Sequence, residues 1–170
     1  RPDGSTEKEE YTDPVTGHRI VRLTHSPYVD KHSYYDVSPW SPDGSLIFFT
    51  SALPGTRDAK IYVMDADGTN IRKVGSGDSF SMHVGAFPQW GPDGTLYFHT
   101  HFEDDSGERV RGMERVWLDE DRTQHIPISA RHISLATGDL LWMENGRGED
   151  RPTRGLYAAE ADGSNPRMII

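Results

Sequence analysis

The chain has 170 residues, with 18 Lys and Arg against 27 Asp and Glu for a formal net charge of −9, 34% hydrophobic residues and no cysteine. It holds no run of about 18 apolar residues to span a bilayer as a helix, and no Lys/Arg cluster to bind nucleic acid by counterion release. A cysteine-free chain also excludes a disulfide framework, a thiolate nucleophile and Cys-ligated zinc, while fitting cytoplasm or periplasm of a bacterial type equally well.

Residues 1–10 are polar and read as a disordered or linker N-terminus. Tyr11 to Thr24 then forms a hairpin around Thr16-Gly17. Beyond it the chain repeats itself. Trp40-Ser41-Pro42-Asp43-Gly44-Ser45-Leu46-Ile47-Phe48-Phe49 recurs as Trp90-Gly91-Pro92-Asp93-Gly94-Thr95-Leu96-Tyr97-Phe98-His99, with a weaker copy at Thr137-Gly138-Asp139-Leu140-Leu141-Trp142. Behind each copy stands a second marker: Ile61 to Asn70, Val116 to Thr123, and Leu156 to Asn165. Pro-Asp-Gly fixes φ at one turn position, supplies a side chain that caps its own turn, and ends on a residue free to take φ > 0. Aromatic and β-branched residues flank both markers, so each repeat predicts two hairpins, or four antiparallel strands A to D.

The first repeat predicts A at Tyr34 to Trp40, B at Leu46 to Ser51, C at Lys60 to Asp65 and D at Asn70 to Val74. The second predicts Gly85 to Trp90, Thr95 to Thr100, Glu114 to Leu118 and Thr123 to Ile128. A third begins near His132. Four-stranded units recurring at this spacing are the signature of β-propeller blades. The expected fold is all-β: a partial propeller over 11–170, with a leading hairpin (11–24) and blades at 34–75, 83–128 and 131–170. Arg1 in place of Met, and the apolar Met168-Ile169-Ile170, lead us to expect a piece of a longer protein, whose missing blades or other copies close the ring.

The blade phase sorts the candidate functional residues. Loops from D into A and from B into C open on the face where propeller ligands bind. His32 and His83 precede A strands, His132 starts one, and His99 and His101 end a B strand with the i,i+2 spacing that sends both side chains to one face. Such imidazoles are candidates for a divalent metal or a general base, with His99 and His101 as the metal pair. Tyr34 and Tyr35 are candidates to stack on a sugar, and Arg57 in the first B/C loop to pair with a carboxylate. The recurrent Trp40, Trp90, Trp142, Tyr62, Trp117 and Tyr157 read as packing residues. Asp65 to Asn70 opens like a calcium loop but lacks its twelfth-position Glu. Glu103-Asp104-Asp105 is a second acidic candidate for a cation.

Tyr11-Thr12-Asp13-Pro14-Val15-Thr16-Gly17, then Arg22-Leu23-Thr24, His32-x-Tyr34-Tyr35 and the Asp43-Gly44 hairpin resemble the N-terminal part of the oligogalacturonate lyases, over about Tyr11 to Val74. The Trp-Ser-Pro-Asp-Gly and Ile-Tyr-Val-Met-Asp-Ala-Asp-Gly phrases are similar to TolB-like and WD40-like propellers more generally. The lyase resemblance implies a seven-bladed enzyme that degrades pectin-derived acidic oligosaccharides by β-elimination with a divalent metal, typically manganese. It implies channel-rim contacts from His32, Tyr34, Tyr35 and Arg57. The family's Gln-x-x-His-x-His metal pattern does not occur: Leu96 stands three residues before His99, where the pattern has Gln. The catalytic group is therefore unassigned, the metal ligands are expected outside this chain, and the segment alone is expected to be inactive. Two other readings stay open, a non-catalytic TolB-like module that binds a protein or glycan and the propeller of a prolyl oligopeptidase-type peptidase. No Gly-x-Ser-x-Gly elbow is present for the latter.

Overall fold

A computed structural model describes residues 1–25, 27–81, 85–144 and 154–170. Its described elements are all strands. β1 (Glu9–Thr12) and β2 (Arg19–Arg22) form a two-stranded sheet, and three four-stranded antiparallel sheets follow. The first contains β3 (Val29–Lys31), β4 (Leu46–Ala52), β5 (Lys60–Asp65) and β6 (Arg72–Ser76). The second contains β7 (Gln89–Trp90), β8 (Leu96–Glu103), β9 (Arg109–Trp117) and β10 (Arg122–Ile126). The third contains β11 (His132–Ile133), β12 (Leu140–Glu144), β13 (Gly155–Ala159) and β14 (Arg167–Met168). In each the strands lie in sequence order and no sheet is closed on itself, the meander expected of A-B-C-D blades. The chain divides into two compact units, Arg1–Pro88 and Gln89–Ile170.

The turns carry the repeat. In each Asp-Gly-Ser/Thr turn the carboxylate accepts from the backbone N–H two residues on: Asp43 from Ser45 at 3.0 Å, Asp67 from Thr69 at 3.0 Å, Asp93 from Thr95 at 3.2 Å and Asp162 from Ser164 at 2.9 Å. This is the Asx turn that the motif predicts. At Asp65–Asn70 the same turn accounts for the acidic sequence, since Asp67 closes it by accepting from Thr69 N–H and Oγ1. Asp104 does the same in the B/C turn of the second sheet, accepting from Ser106 N and Oγ and from Glu108 N.

In the first unit one face of the sheet is an apolar cluster of Ile47, Phe49, Tyr62, Met64 and Ile71, with Leu23 packed against it. Phe49 and Tyr62 are cross-strand partners whose rings stack with centroids 5.4 Å apart. In the second unit Tyr97, Met113, Ile126, Ala130, Ile133, Leu140 and Ala159 form one core, with Trp142 packed on it and stacked on Tyr157 at 5.7 Å. Each large side chain so buried contributes about 1.5–3 kcal/mol.

The first strand A departs from expectation. β3 pairs with β4 through Lys31 and Thr50, and pairing resumes only at the Trp40–Ile47 bridge. Residues 32–39 thus stand opposite 48 and 49 alone. The Tyr-rich stretch predicted as strand folds into a turn closed by Val37 N–H donating to Tyr34 O at 3.0 Å. Pro39, with no N–H to give, accepts through its carbonyl from Phe48 N–H.

The first ten residues are not a free linker. Ser5 bridges Ile71, and Asp3 accepts from Lys73 N–H. The Arg1 side chain, 1% exposed, forks onto Glu7 and Asp30 and donates to Ser51 Oγ. Its guanidinium lies 4.4 Å from the Tyr28 ring centroid and 5.2 Å from that of Phe49.

Candidate functional site

The excursion at 32–38 positions the aromatic candidates. With six more residues than its partner strand requires, the segment leaves the sheet plane and carries His32, Tyr34 and Tyr35 out with it. His32 is exposed, Tyr34 half-buried, and Tyr35 is 81% exposed. The two tyrosine rings lie with centroids 4.3 Å apart at 48°. Ser33, between them and His32, is buried with no hydrogen-bond partner for its hydroxyl.

Two neighbouring loops leave the end of the sheet where Ala52, Lys60 and Ser76 lie, while the excursion stands opposite Phe48 and Phe49 partway along β4. The B/C loop turns at Leu53–Thr56 and presents Arg57, exposed, whose carbonyl accepts from Phe80 N–H at 3.0 Å. The Phe80 ring in turn receives the Lys31 ammonium 4.3 Å from its centroid. Lys31 immediately precedes His32, so Arg57 is linked through two further residues, Phe80 and Lys31, to the start of the excursion that carries His32, Tyr34 and Tyr35. Sequence reasoning missed these two. The signal available for Lys31 was its adjacency to His32; Phe80 had none, because its role rests on a fold-back of the D-to-A loop. His83 lies outside the described residues.

The histidines of the second unit do not form a metal pair. His99 is 4% exposed, with Nε2 2.7 Å from the Ala130 carbonyl and Nδ1 3.3 Å from an Arg111 guanidinium nitrogen. Nε2 therefore carries the proton and Nδ1 accepts, which leaves neither lone pair for a metal. Counted from the turn glycines Gly44 and Gly94, His99 holds the place that Phe49 holds in the first sheet, a core place. His101 is exposed across from Arg111, and His132 is exposed on β11. Among the described residues no group of three or more His, Asp or Glu side chains is arranged to hold a metal ion. In the acidic run Asp104 is engaged in its own turn, where Ser106 and backbone N–H groups hold its carboxyl below the usual carboxylate range.

No family model matches the chain. Among curated proteins, the oligogalacturonide lyase of Pectobacterium atrosepticum is 29% identical over 114 residues, 65% of this chain. Among solved structures, the oligogalacturonate lyase of Vibrio parahaemolyticus superposes with a TM-score of 0.65 over 98% of this chain at 13% identity. The chain resembles the oligogalacturonate lyases in sequence and in fold. An oligogalacturonate lyase in complex with manganese is a more distant likeness, with a TM-score of 0.44, 14% identity, and coverage of 98% of this chain and 60% of that one. The chain spans 27% of the length of the Pectobacterium oligogalacturonide lyase and 47% of the Vibrio oligogalacturonate lyase. The fold shared with the latter is all-β, and three four-stranded blades behind a leading hairpin make this chain a partial β-propeller.

Proposed function

We propose that the chain is part of a lyase that cleaves uronate oligosaccharides of the pectin type by β-elimination, and that its share of the work is to bind substrate. The observation that supports this most is the sequence match to an oligogalacturonide lyase, which accompanies a shared fold. In β-elimination a base removes the C5 proton, the electron pair forms the C4–C5 double bond, the C4–O glycosidic bond breaks, and the leaving oxygen takes up a proton. The carboxylate at C6 has to be held by positive charge for C5 to become acidic.

On a protein of net charge −9 that positive charge must be local. Lys31 and Arg57 supply it in the first unit, with His32 next to Lys31 as a hydrogen-bonding partner, while Tyr34 and Tyr35 offer apolar ring faces to the C–H faces of a pyranose. No step is assigned to a divalent metal on this chain, because among the described residues no group of three or more His, Asp or Glu is arranged to hold one and both ring nitrogens of His99 are engaged; the ligands of a manganese-type ion are proposed to lie outside this chain.

The test is to incubate the full-length gene product with oligogalacturonate and manganese and follow the ultraviolet absorbance of the unsaturated product. A rise in absorbance is expected. No rise, with oligogalacturonate still bound, transfers the reading to a non-catalytic glycan-binding propeller.

A further inference from the structure

His99 holds a core place, yet nothing about that place asks for an imidazole. Phe49 fills it in the first sheet with an apolar ring stacked on Tyr62. A buried imidazole has to satisfy both of its ring nitrogens, and the two partners of His99 differ in kind. Nε2–H donates to the carbonyl of fully buried Ala130 at 2.7 Å, while Nδ1 accepts at 3.3 Å from Arg111, an exposed residue. The ring therefore ties a surface cation to a fixed point of the loop behind β10. The same loop supplies a second grip, because Arg111 Nη1 donates to Ser129 Oγ at 3.4 Å. Both of these acceptors are uncharged, and together they hold the two terminal nitrogens and set the plane of the guanidinium before a ligand arrives.

The position of the cation belongs to the repeat. Two residues after the turn glycines Gly44, Gly94 and Gly138 stand Leu46, Leu96 and Leu140, which pair on strand C with Asp65, Val116 and Ala159. Five residues before those partners stand Lys60, Arg111 and Arg154, a cation at or near the start of C each time. The residues at the His99 place are Phe49, His99 and Met143 in turn, so the imidazole backing is peculiar to the second repeat.

We propose that Arg111 is a carboxylate-binding residue that receives one acidic sugar of an oligouronate, with His99 as its positioning residue, an assignment that rests on the uronate reading above. Arg111 lies two residues into β9, just beyond the B/C turn, on the side where propeller ligands are expected. A guanidinium held in plane meets a carboxylate through two parallel N–H···O bonds. His101, the cross-strand partner of Arg111, stands beside it to meet a ring hydroxyl.

The experiment uses the full-length gene product and isothermal calorimetry, without added metal, with two probes: trigalacturonate and its fully methyl-esterified form, which keeps the sugars and removes the charge. Arg111→Ala is expected to weaken binding of the acid about tenfold and to leave the ester within about twofold of wild type. Arg111→Lys falls between, since it keeps the charge and loses the fork. His99→Phe, which installs the residue found at this place in the first sheet, is expected to weaken the acid about threefold and to add nothing in the Arg111→Ala background. Equal losses for acid and ester, which a merely structural role would give, overturn the proposal. So does acid binding that Arg111→Ala leaves unchanged, a wild type that binds no acid, or a His99→Phe effect that persists without Arg111. A protein that forms no unsaturated product but loses acid binding on Arg111→Ala leaves this inference standing while the lyase reading fails; product formation with acid binding indifferent to Arg111 does the reverse.

Discussion

Asp43 accepts from Ser41 Oγ at 2.6 Å, from Ser45 N–H and from Ser45 Oγ, and these donors bring its carboxyl down to about 2. A folded value depressed below the unfolded one gives stability that is complete above the ordinary carboxylate value near about 4 and is lost as pH falls through the folded value. Asp43→Asn is therefore expected to lower the melting temperature near neutrality, and the gap to wild type is expected to close as thermal unfolding is repeated from pH about 4 down to about 2. Ser33 is the opposite case. Its buried hydroxyl lacks a partner, an arrangement that costs about 1–3 kcal/mol. Ser33→Ala is expected to hold or raise the melting temperature; a clear drop would reveal a partner that the hydroxyl depends on. Tyr35, 81% exposed, contributes little to folding. If it stacks on sugar, Tyr35→Ala raises KM for oligogalacturonate about fivefold with kcat and melting temperature unchanged, a loss of about 1 kcal/mol.

At the scale of elements, the B, C and D strands and their turns were legible because their determinants are local. Asp-Gly-Ser/Thr closes its turn with atoms two residues away, and C at Lys60–Asp65 forms where its β-branched and aromatic run Ile61-Tyr62-Val63 predicts it. Strand A was not legible: Tyr34 to Trp40 is rich in aromatic residues, yet its ladder partners on β4 are too few, and the surplus residues leave the sheet. His99 misled for a related reason. Its i,i+2 relation to His101 holds along β8, but which face of the sheet is core depends on β9 and on the loop at Ala130, 31 residues away. Gly112 shows the same dependence. A Cβ there would collide with the Ile126 carbonyl and come within 2.8 Å of the Phe102 ring, which stacks on His125 with centroids 4.3 Å apart. Gly112→Ala must therefore separate β9 from β10 or dislodge that ring. A destabilisation of about 1–3 kcal/mol is expected, measured by chemical denaturation, with the loss of protection concentrated in β10.

At the scale of the first unit as a whole, the least legible feature is the one that ties it together. Nothing in the composition of residues 1–10 announces that Arg1 reaches Asp30 and Ser51, because contacts across 29 and 50 residues leave no periodic trace. Burial pushes the Glu7 carboxyl up, but the Arg1 fork and the His25 N–H outweigh it and hold Glu7 below the usual range. Arg1 itself loses from burial and regains more from Asp30 and Glu7, so it stays charged at every working pH. Its fork is one of the charged links between the N-terminal segment, β3 and β4. Arg1→Ala leaves two partly buried carboxylates facing each other and removes the cation from the Tyr28 and Phe49 rings. Breaking such a pair from one side costs about 3 kcal/mol. Arg1→Lys keeps the charge but cannot engage both carboxylates in parallel, and is expected to fall between the two. Because the Glu7 contribution requires its ionised form, and that form is held below the usual range by Arg1, wild type is expected to lose its advantage over Arg1→Ala as pH falls below the ordinary glutamate value and through the depressed folded one. Differential scanning calorimetry of the three proteins at neutral and acid pH checks the order. Equal melting temperatures at neutrality would show that the N-terminal segment rests on the sheet without holding it.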